Sequence, residues 1–338
     1  MGKSGMTLHP HLNGTKGNMA DKTYYDALLA DVRKFQKENR LDEARSLLRD
    51  LQKESDNGLM GPKTVFGLPR RLHAALLRQA KVEKDTLKRI GYQYTLVPPP
   101  EVLAPYCLFD VSGHRALAEA NRKPVPKIIH QIWIGPKELP VSIEAWRKHA
   151  EDNGCEFRLW READIDREGI TDNPVFADML RRGDYPGAVD VARYVILERF
   201  GGIYLDCDWY PARDDISFHD LLPLQGLTAF AEEVPRDTGR GSVLLANSFI
   251  AAPPQHPVFT RMLTAIPAAL HDMPRAPAWW VTGPLLFTVV ARAASICLAG
   301  ADFVVGSLPD KAPLDDVLAV RAAIDENSSG LLIAWKSW

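Results

Sequence analysis

The sequence predicts an α/β protein with a mostly parallel sheet, helices on both of its faces, and a helical N-terminal extension. Two observations carry the prediction. Strand-like and helix-like segments alternate from Lys127 onwards, which argues for a layered α/β domain. Before that, from Tyr24 to about Lys88, apolar residues recur at three- and four-residue steps, the helical period. A third feature places the chemistry: the strand in FGGIYLDCDWYP ends in two aspartates, Asp206 and Asp208, where open α/β sheets keep their ligand crevice.

At 338 residues the chain has room for one large α/β domain plus an extension, or for two domains. Its composition, 46% hydrophobic and 25% charged, is that of a globular protein, and a net charge of −2 lacks the basic excess of a nucleic-acid binder. Cys107, Cys155, Cys207 and Cys297 form no CxxC pair, which argues against a zinc ribbon or redox motif and fits a reducing compartment. The leading MGKSGMTLHPHLNGTKGNMADK lacks the apolar core of a secretory signal, and Met6 stands where a myristoylation signal needs Ser or Thr. The longest apolar stretch, Pro284 to Val305, is interrupted by Arg292, Gly300 and Asp302. It reads as a buried helix, a turn and a strand rather than a membrane span. A cytoplasmic protein is expected, with a peripheral contact at the inner face of a membrane left open.

In chain order, residues 1–20 read as a disordered leader and 21–95 as the helical extension. Leu28, Leu29, Val32 and Phe35 mark a first helix, and Leu41, Ala44, Leu47, Leu48 and Leu51 a second. PRRLHAALLRQAKVEKDTLKRI supplies a third, whose role is packing or the capture of a protein partner. Residues 96–125, opened by the proline-rich VPPPEVLAPY, read as a linker, and 126–338 as the α/β domain. There KIIHQIWIG is an apolar strand from near Lys127 to Gly135. VSIEAWRKHAEDN is a helix, CEFRLW a strand, and NPVFADMLRRG and YPGAVDVARYVILERFGG are helices. IYLDCDWY, LTAFAEE, NSFIAA and DFVVGSL are strands, while HPVFTRMLTAIPAALH and GPLLFTVVARAASIC are helices.

Alternate residues of a strand point the same way, so Asp206 and Asp208 share a side if the strand continues past Leu205. Two carboxylates roughly 7 Å apart repel unless a cation joins them. Oxygen ligands of this kind suit Mg²⁺ or Mn²⁺, ions that also bridge diphosphate oxygens. The bland alternative is a solvated turn. GAVDVARYVILERF, just before, is apolar almost all round, as buried helices are, and puts Asp190 and Arg193 on one face. They are either an internal ion pair or a grip on ligand hydroxyls and phosphates. In HQIWIG, Trp133 is either core or a platform for a base or sugar ring, and His130 reads as a satisfied core histidine.

Together PKIIHQIWIG, DVARYVILERFGGIYLDCDW, NSFIAAPPQHPVF and TGP resemble glycosyltransferase family 32, the DXD-containing sugar-binding-region enzymes that include capsular and lipopolysaccharide sugar transferases. The resemblance runs from about Pro126 to Gly283, and its most specific part is D-x-x-R-Y followed by GG-x-Y-x-D-x-D. It implies a GT-A fold and a retaining, metal-dependent transfer from a nucleotide-sugar to a saccharide or glycolipid, in surface polysaccharide synthesis. It also implies roles. Asp208 would ligate Mn²⁺ or Mg²⁺, with Asp206 on the ribose or on the metal through water. Asp190 and Arg193 would hold the donor sugar and its diphosphate. Trp133, with the backbone of Ile132 and Ile134, would line the base pocket. Asn247 and Ser248 would lie near acceptor and donor sugar, and Thr282 and Gly283 at a helix N-terminus suited to an anion or hydroxyl.

The chain departs from that pattern at its end. LLIAWKSW has no histidine; Ala334 stands near the place of one, while Ser337 and Trp338 match the family's terminal S-W pair, which distantly related toxin glucosyltransferases use at metal and donor phosphate. Glu232 and Glu233 are the weak alternatives for a carboxylate nucleophile. A toxin-like protein glycosyltransferase and a non-catalytic scaffold on the same fold are the competing readings. UDP-galactose, UDP-glucose, UDP-N-acetylglucosamine and GDP-mannose all remain open as donors, because donor choice turns on a few contacts.

Overall fold

The computed structural model describes residues 21–338 apart from 65–66, 86–87, 90–91, 93–103, 232–243, 275 and the side chain of Ala301. The expected leader and the pair Glu232 and Glu233 lie outside the described residues. Two compact units divide between Pro98 and Pro99.

The described residues of the first unit include the helices α1 (Lys22–Lys37), α2 (Leu41–Lys53) and α3 (Arg70–Val82). Asp21 caps α1 by accepting from the Tyr24 N–H at 2.9 Å, satisfying a donor that a helix start leaves free. Tyr25, Leu29, Val32, Leu48, Leu51, Leu72, Ala75 and Leu76 form one buried cluster. Leu28 and Phe35, which mark the helical period, are only half-buried; Tyr25 and Gln36 take the inner positions beside Leu29 and Val32. Gln36 is tolerated there because its amide donates to the Ala75 carbonyl and to Gln79, both at 3.0 Å.

The second unit begins inside the stretch expected to be a linker. Its α4 (Val111–Ala120) is a regular helix, capped by Asp110, which accepts from the Gly113 N–H at 2.7 Å. The preceding residues are also tied down. Tyr106 donates to Asp272 at 2.9 Å, and the Arg261 guanidinium donates to the Tyr106 and Leu108 carbonyls. Prolines before this stretch hid that order, because the partners lie some 150 residues on in the sequence.

From here the chain lays down β1 (Ile128–Ile132), α5 (Val141–Asp152), β2 (Glu156–Trp160), α6 (Glu162–Arg167), α7 (Pro174–Arg181), α8 (Tyr185–Phe200), β3 (Gly202–Leu205) and β4 (Trp209–Pro211). Then follow α9 (Phe218–Leu221), β5 (Leu227–Ala231), β6 (Leu245–Ala252), α10 (Pro257–Asp272), α11 (Ala278–Val281), α12 (Pro284–Ala291), β7 (Ile296–Ala299), β8 (Val304–Ser307), α13 (Leu314–Ala322) and β9 (Leu332–Ala334). No helix among the described residues is long and apolar enough to cross a membrane.

Six strands make the main sheet in the order β2-β1-β3-β6-β5-β7. All its neighbours pair in parallel except where β6 runs against β3 and β5. The sheet is therefore mostly parallel, as the alternation of elements implied. β1 connects outward to β2, and the chain then returns past β1 to β3. That reversal opens a crevice at the carboxyl ends of β1 and β3.

Two expectations need correction. IYLDCDWY is not one strand: β3 stops at Leu205, and β4 belongs to a separate three-stranded sheet, β4-β9-β8. The Trp209 N–H folds back to the Asp206 carbonyl at 3.2 Å, so the two aspartates sit in a tight turn between sheets, not on one strand face. Likewise the helix read across GPLLFTVVARAASIC ends at Ala291. Ile296 and Cys297 pair in parallel with Leu227 and Thr228 of β5, and that pairing overrides local helical pattern.

The α8–β3 junction fixes the crevice floor. Gly201 has φ +62° and ψ −155°, backbone that essentially only glycine adopts. A Cβ there would meet the Pro254 nitrogen at 2.5 Å. Its carbonyl accepts from the His130 ring at 2.8 Å, and the other ring nitrogen faces the Trp160 indole N–H at 3.1 Å. His130 is thus a neutral, fully satisfied core histidine, and burial pushes its pKa down to about 4.

Gly201→Ala should cost about 3 kcal/mol or more in denaturant unfolding, combining a glycine-only conformation with a backbone clash. Gly154→Ala, at φ +63° with nothing within 4 Å, should cost about 1 kcal/mol. Equal costs for the two would refute this account of the junction.

Candidate functional site

The site is assembled around α8, a helix buried on nearly every side. Asp184 caps it, accepting from the Gly187 N–H at 3.1 Å, and this sets the register that places Asp190 and Arg193 inside. The Asp190 carboxylate is enclosed by three donors. Asn247 Nδ2 donates to Oδ1 at 2.8 Å, Thr282 Oγ1 to Oδ2 at 2.8 Å, and the Arg193 guanidinium lies 3.1 Å from Oδ1. Burial still pushes the Asp190 pKa up to about 6, against the pull of Arg193, Thr282 and Asn247.

Arg193 spends its guanidinium locally. One terminal nitrogen donates to the Asn247 carbonyl; the other bridges Asp190 and Asp206, the latter at 3.2 Å. The planar group lies 4.4 Å from the centre of the Tyr204 ring. Burial opposes its charge, but Asp206, Tyr204 and Asp190 more than restore it, so its pKa is raised.

Asp206 is held on every side but one. Tyr204 donates to its Oδ1 at 2.6 Å, its N–H donates to the Ser248 carbonyl at 2.9 Å, and Gln131 reaches its carbonyl at 3.4 Å. Oδ2 takes no bond among the described residues. Cys207 is buried, its Sγ 3.4 Å from the Ile132 carbonyl, while Ser142 at the start of α5 donates to the Cys207 carbonyl at 2.6 Å. Burial first, and the Asp206 and Asp208 charges next, push its thiol far up, so it stays inert.

Asp208 differs from its neighbour. Its carbonyl accepts from the Trp335 N–H at 2.8 Å, yet its carboxylate has no side-chain partner among the described residues. Burial, followed by the Asp206 charge, pushes its pKa up to about 7. The cluster contains three aspartates against one arginine, an excess of negative charge where the crevice opens.

That donor set fits one hard divalent cation. No group of three or more His, Cys, Asp or Glu able to hold a metal occurs among the described residues. Mg²⁺ and Mn²⁺ bound with nucleotides are typically held by one or two carboxylates plus phosphate oxygens and water, which matches Asp208 and the free Oδ2 of Asp206.

The remaining expected residues fall into two groups. Asp190, Arg193, Asp206, Asn247, Ser248 and Thr282 form a continuous network. Trp133 and Trp338 meet edge to face, their ring centres 4.8 Å apart, with the Trp133 indole donating to the Lys137 carbonyl at 3.2 Å. Ser337 is half-buried beside them in sequence, as is Ile134 on the other strand end; the Ile132 side chain is buried. Gly283 stands apart from the network: its N–H donates to the Ala278 carbonyl at 2.8 Å.

Tyr204, Ser142, Gln131 and Trp335 were not singled out from sequence. Tyr204 carried a signal, since it lies two residues before Asp206 on the same side of the strand. The other three carried none, being distant in sequence from the turn they hold.

Residues 136–222 match a family described as the glycosyltransferase sugar-binding region containing DXD motif. Among curated proteins, the chain is 29% identical over 188 residues to inositol phosphoceramide mannosyltransferase 3 of Schizosaccharomyces pombe, covering 54% of this chain and 48% of that protein. It is 29% identical over 171 residues to the mannosyl phosphorylinositol ceramide synthase CSH1 of Saccharomyces cerevisiae, covering 49% and 42%. An uncharacterised glycosyltransferase of Acanthamoeba polyphaga mimivirus is 30% identical over 141 residues, 40% of this chain and 53% of that one. The chain thus spans about half the length of the curated relatives it matches. A solved structure, PaToxG glycosyltransferase, overlays with a TM-score of 0.40 at 15% identity over 62% of this chain and 76% of that one. The resemblance to DXD-containing glycosyltransferases read from the motifs is borne out over residues 136–222, which match their sugar-binding region.

Because the folded pKa of Asp190 is raised towards 6, its contribution to stability is largest below the ordinary carboxylate range and is lost as pH rises through about 6. Thr282→Val, which removes a donor to the charged form, should cost about 1–3 kcal/mol at pH 8. The cost should shrink towards pH 4.5, where Asp190 is protonated. A cost independent of pH, measured by urea unfolding, would contradict this role for Thr282.

Proposed function

We propose that the protein is a metal-dependent, retaining glycosyltransferase that moves a hexose from a nucleoside diphosphate sugar to a saccharide or glycolipid hydroxyl. One observation carries the reading: an acidic pair at the carboxyl end of β3, one member locked and the other free, inside the matched segment 136–222. Mannose is the first donor sugar to test, since several similar proteins are named as mannosyltransferases. A role in surface polysaccharide or glycolipid synthesis follows from the acceptor class.

A divalent ion, when bound, supplies Lewis-acid stabilisation of the diphosphate leaving group. Asp208 would hold it directly. Asp206 would offer Oδ2 to the ion's water or to the donor ribose, because Tyr204 and Arg193 already occupy Oδ1. Asp190 and Arg193 act through Asp206: Arg193, itself held by Asp190, fixes the Asp206 rotamer. Trp133 would offer its ring to the nucleotide base, and Trp338, in edge contact with it, would frame the same pocket.

Retention is explained by attack on the face from which the diphosphate leaves. The acceptor oxygen bonds the anomeric carbon, the bond to the leaving phosphate oxygen breaks, and that oxygen takes the acceptor's proton. Asp190 is unsuited to act as a nucleophile, being enclosed by three donors. Holding the acceptor hydroxyl against the anomeric carbon then supplies much of the rate.

With Mn²⁺ and a panel of UDP- and GDP-sugars, the wild type should turn over at least one donor. Asp208→Ala should lower kcat at least 100-fold, the scale lost with a transition-state contact. Trp133→Ala should mainly raise the donor KM, by roughly tenfold, as expected for losing one stacking ring. Unchanged turnover in Asp208→Ala would sink the scheme.

A further inference from the structure

After β9 ends at Ala334, the last residues run past the acidic turn. Trp335 is anchored twice: its N–H donates to the Asp208 carbonyl at 2.8 Å, and its indole donates to the Ala312 carbonyl at 3.0 Å. Its ring packs edgewise on Tyr210, centres 5.7 Å apart. Lys336 is anchored as well, its carbonyl accepting from the Lys311 N–H at 2.7 Å. The backbone is therefore fixed on both sides of the Lys336 side chain, which is exposed and forms no ion pair among the described residues. Its ammonium lies 5.9 Å from the centre of the Trp338 ring, and that ring meets Trp133. On the other side, the residue just before it, Trp335, is bonded to the Asp208 carbonyl.

Lys336 thus stands between an aromatic pair and an acidic pair. A nucleoside diphosphate sugar has the same order of parts: base, ribose, diphosphate, sugar. With the base at Trp133 and the cation at Asp208, the diphosphate falls between them, and two phosphates need positive charge there. Arg193 does not supply it, because its terminal nitrogens are committed to Asn247, Asp190 and Asp206. We propose that Lys336 is a binding residue for the donor's diphosphate, sharing its neutralisation with the cation at Asp208. The proposal rests on the glycosyltransferase reading.

The test is calorimetric titration of the full chain with GDP and UDP, with and without Mn²⁺, in the wild type, Lys336→Gln and Lys336→Arg. Lys148→Gln on α5, which removes a surface ion pair with Asp152, serves as control. Lys336→Gln should weaken the preferred diphosphate about tenfold, the value of one charge-assisted bond, and more strongly without Mn²⁺. Lys336→Arg should stay within about threefold of the wild type, and Lys148→Gln should match it. Affinity for the bare nucleoside, read by ligand-observed NMR, should not change in Lys336→Gln. Equal diphosphate affinity in wild type and Lys336→Gln would overturn this inference alone. An equal loss for the nucleoside would also overturn it, by assigning the lysine to the Trp338 ring. If the wild type binds neither diphosphate, the glycosyltransferase reading falls and this one with it.

Discussion

The Arg193 guanidinium, bridging Asp190 and Asp206 in the interior, is the interaction on which the rest of the site depends. A buried cation of this kind is costly unless its partners are complete, and breaking one side strands the others. Here the partners come from four places: Asp190 from the same helix, Asp206 from the end of β3, Asn247 from β6, and Thr282, which closes the ring through Asp190, from the α11–α12 junction. The network therefore fixes the relative position of those elements as well as of the carboxylates.

One consequence is a division of labour between two adjacent aspartates. Asp206 directly follows β3 of the main sheet and is pinned at Oδ1 by Tyr204 and Arg193. Asp208 directly precedes β4 of the small sheet, where Trp209 pairs with Ala334, and its carbonyl takes the Trp335 N–H. The Asp208 pKa is pushed up to about 7, because that carboxylate combines burial with a like charge and no side-chain donor comparable to Tyr204.

The C-terminal strand is part of the site for the same reason. It is the middle strand of the small sheet, so its pairing with β4 and β8 holds the far side of the turn. The Trp146 indole donates to the Trp209 carbonyl at 2.8 Å and Ser142 donates to the Cys207 carbonyl, so α5 clamps the turn from a third direction. A turn held this firmly loses little entropy when it takes a ligand, which is the physical meaning of preorganisation.

By itself the sequence determined the alternation of strands and helices, the mostly parallel sheet, the three N-terminal helices and the acidic pair at a strand end. These are local signals: period, glycine placement and charge inside an apolar run. It also marked Asp190 and Arg193, because polar residues in an all-apolar helix must be paired or functional. Tertiary structure decided what local pattern cannot carry. It ended β3 at Leu205, because the chain turns there and Trp209–Pro211 pair with β9, over a hundred positions later. It made a helix of residues 111–120 in a stretch read as linker, and it gave α8 its partners from β6 and the α11–α12 junction. It also brought Trp335, Lys336 and Trp338 to the turn from the chain's far end. Hydrogen bonds between distant segments leave no periodicity in either one, so only the folded chain shows them.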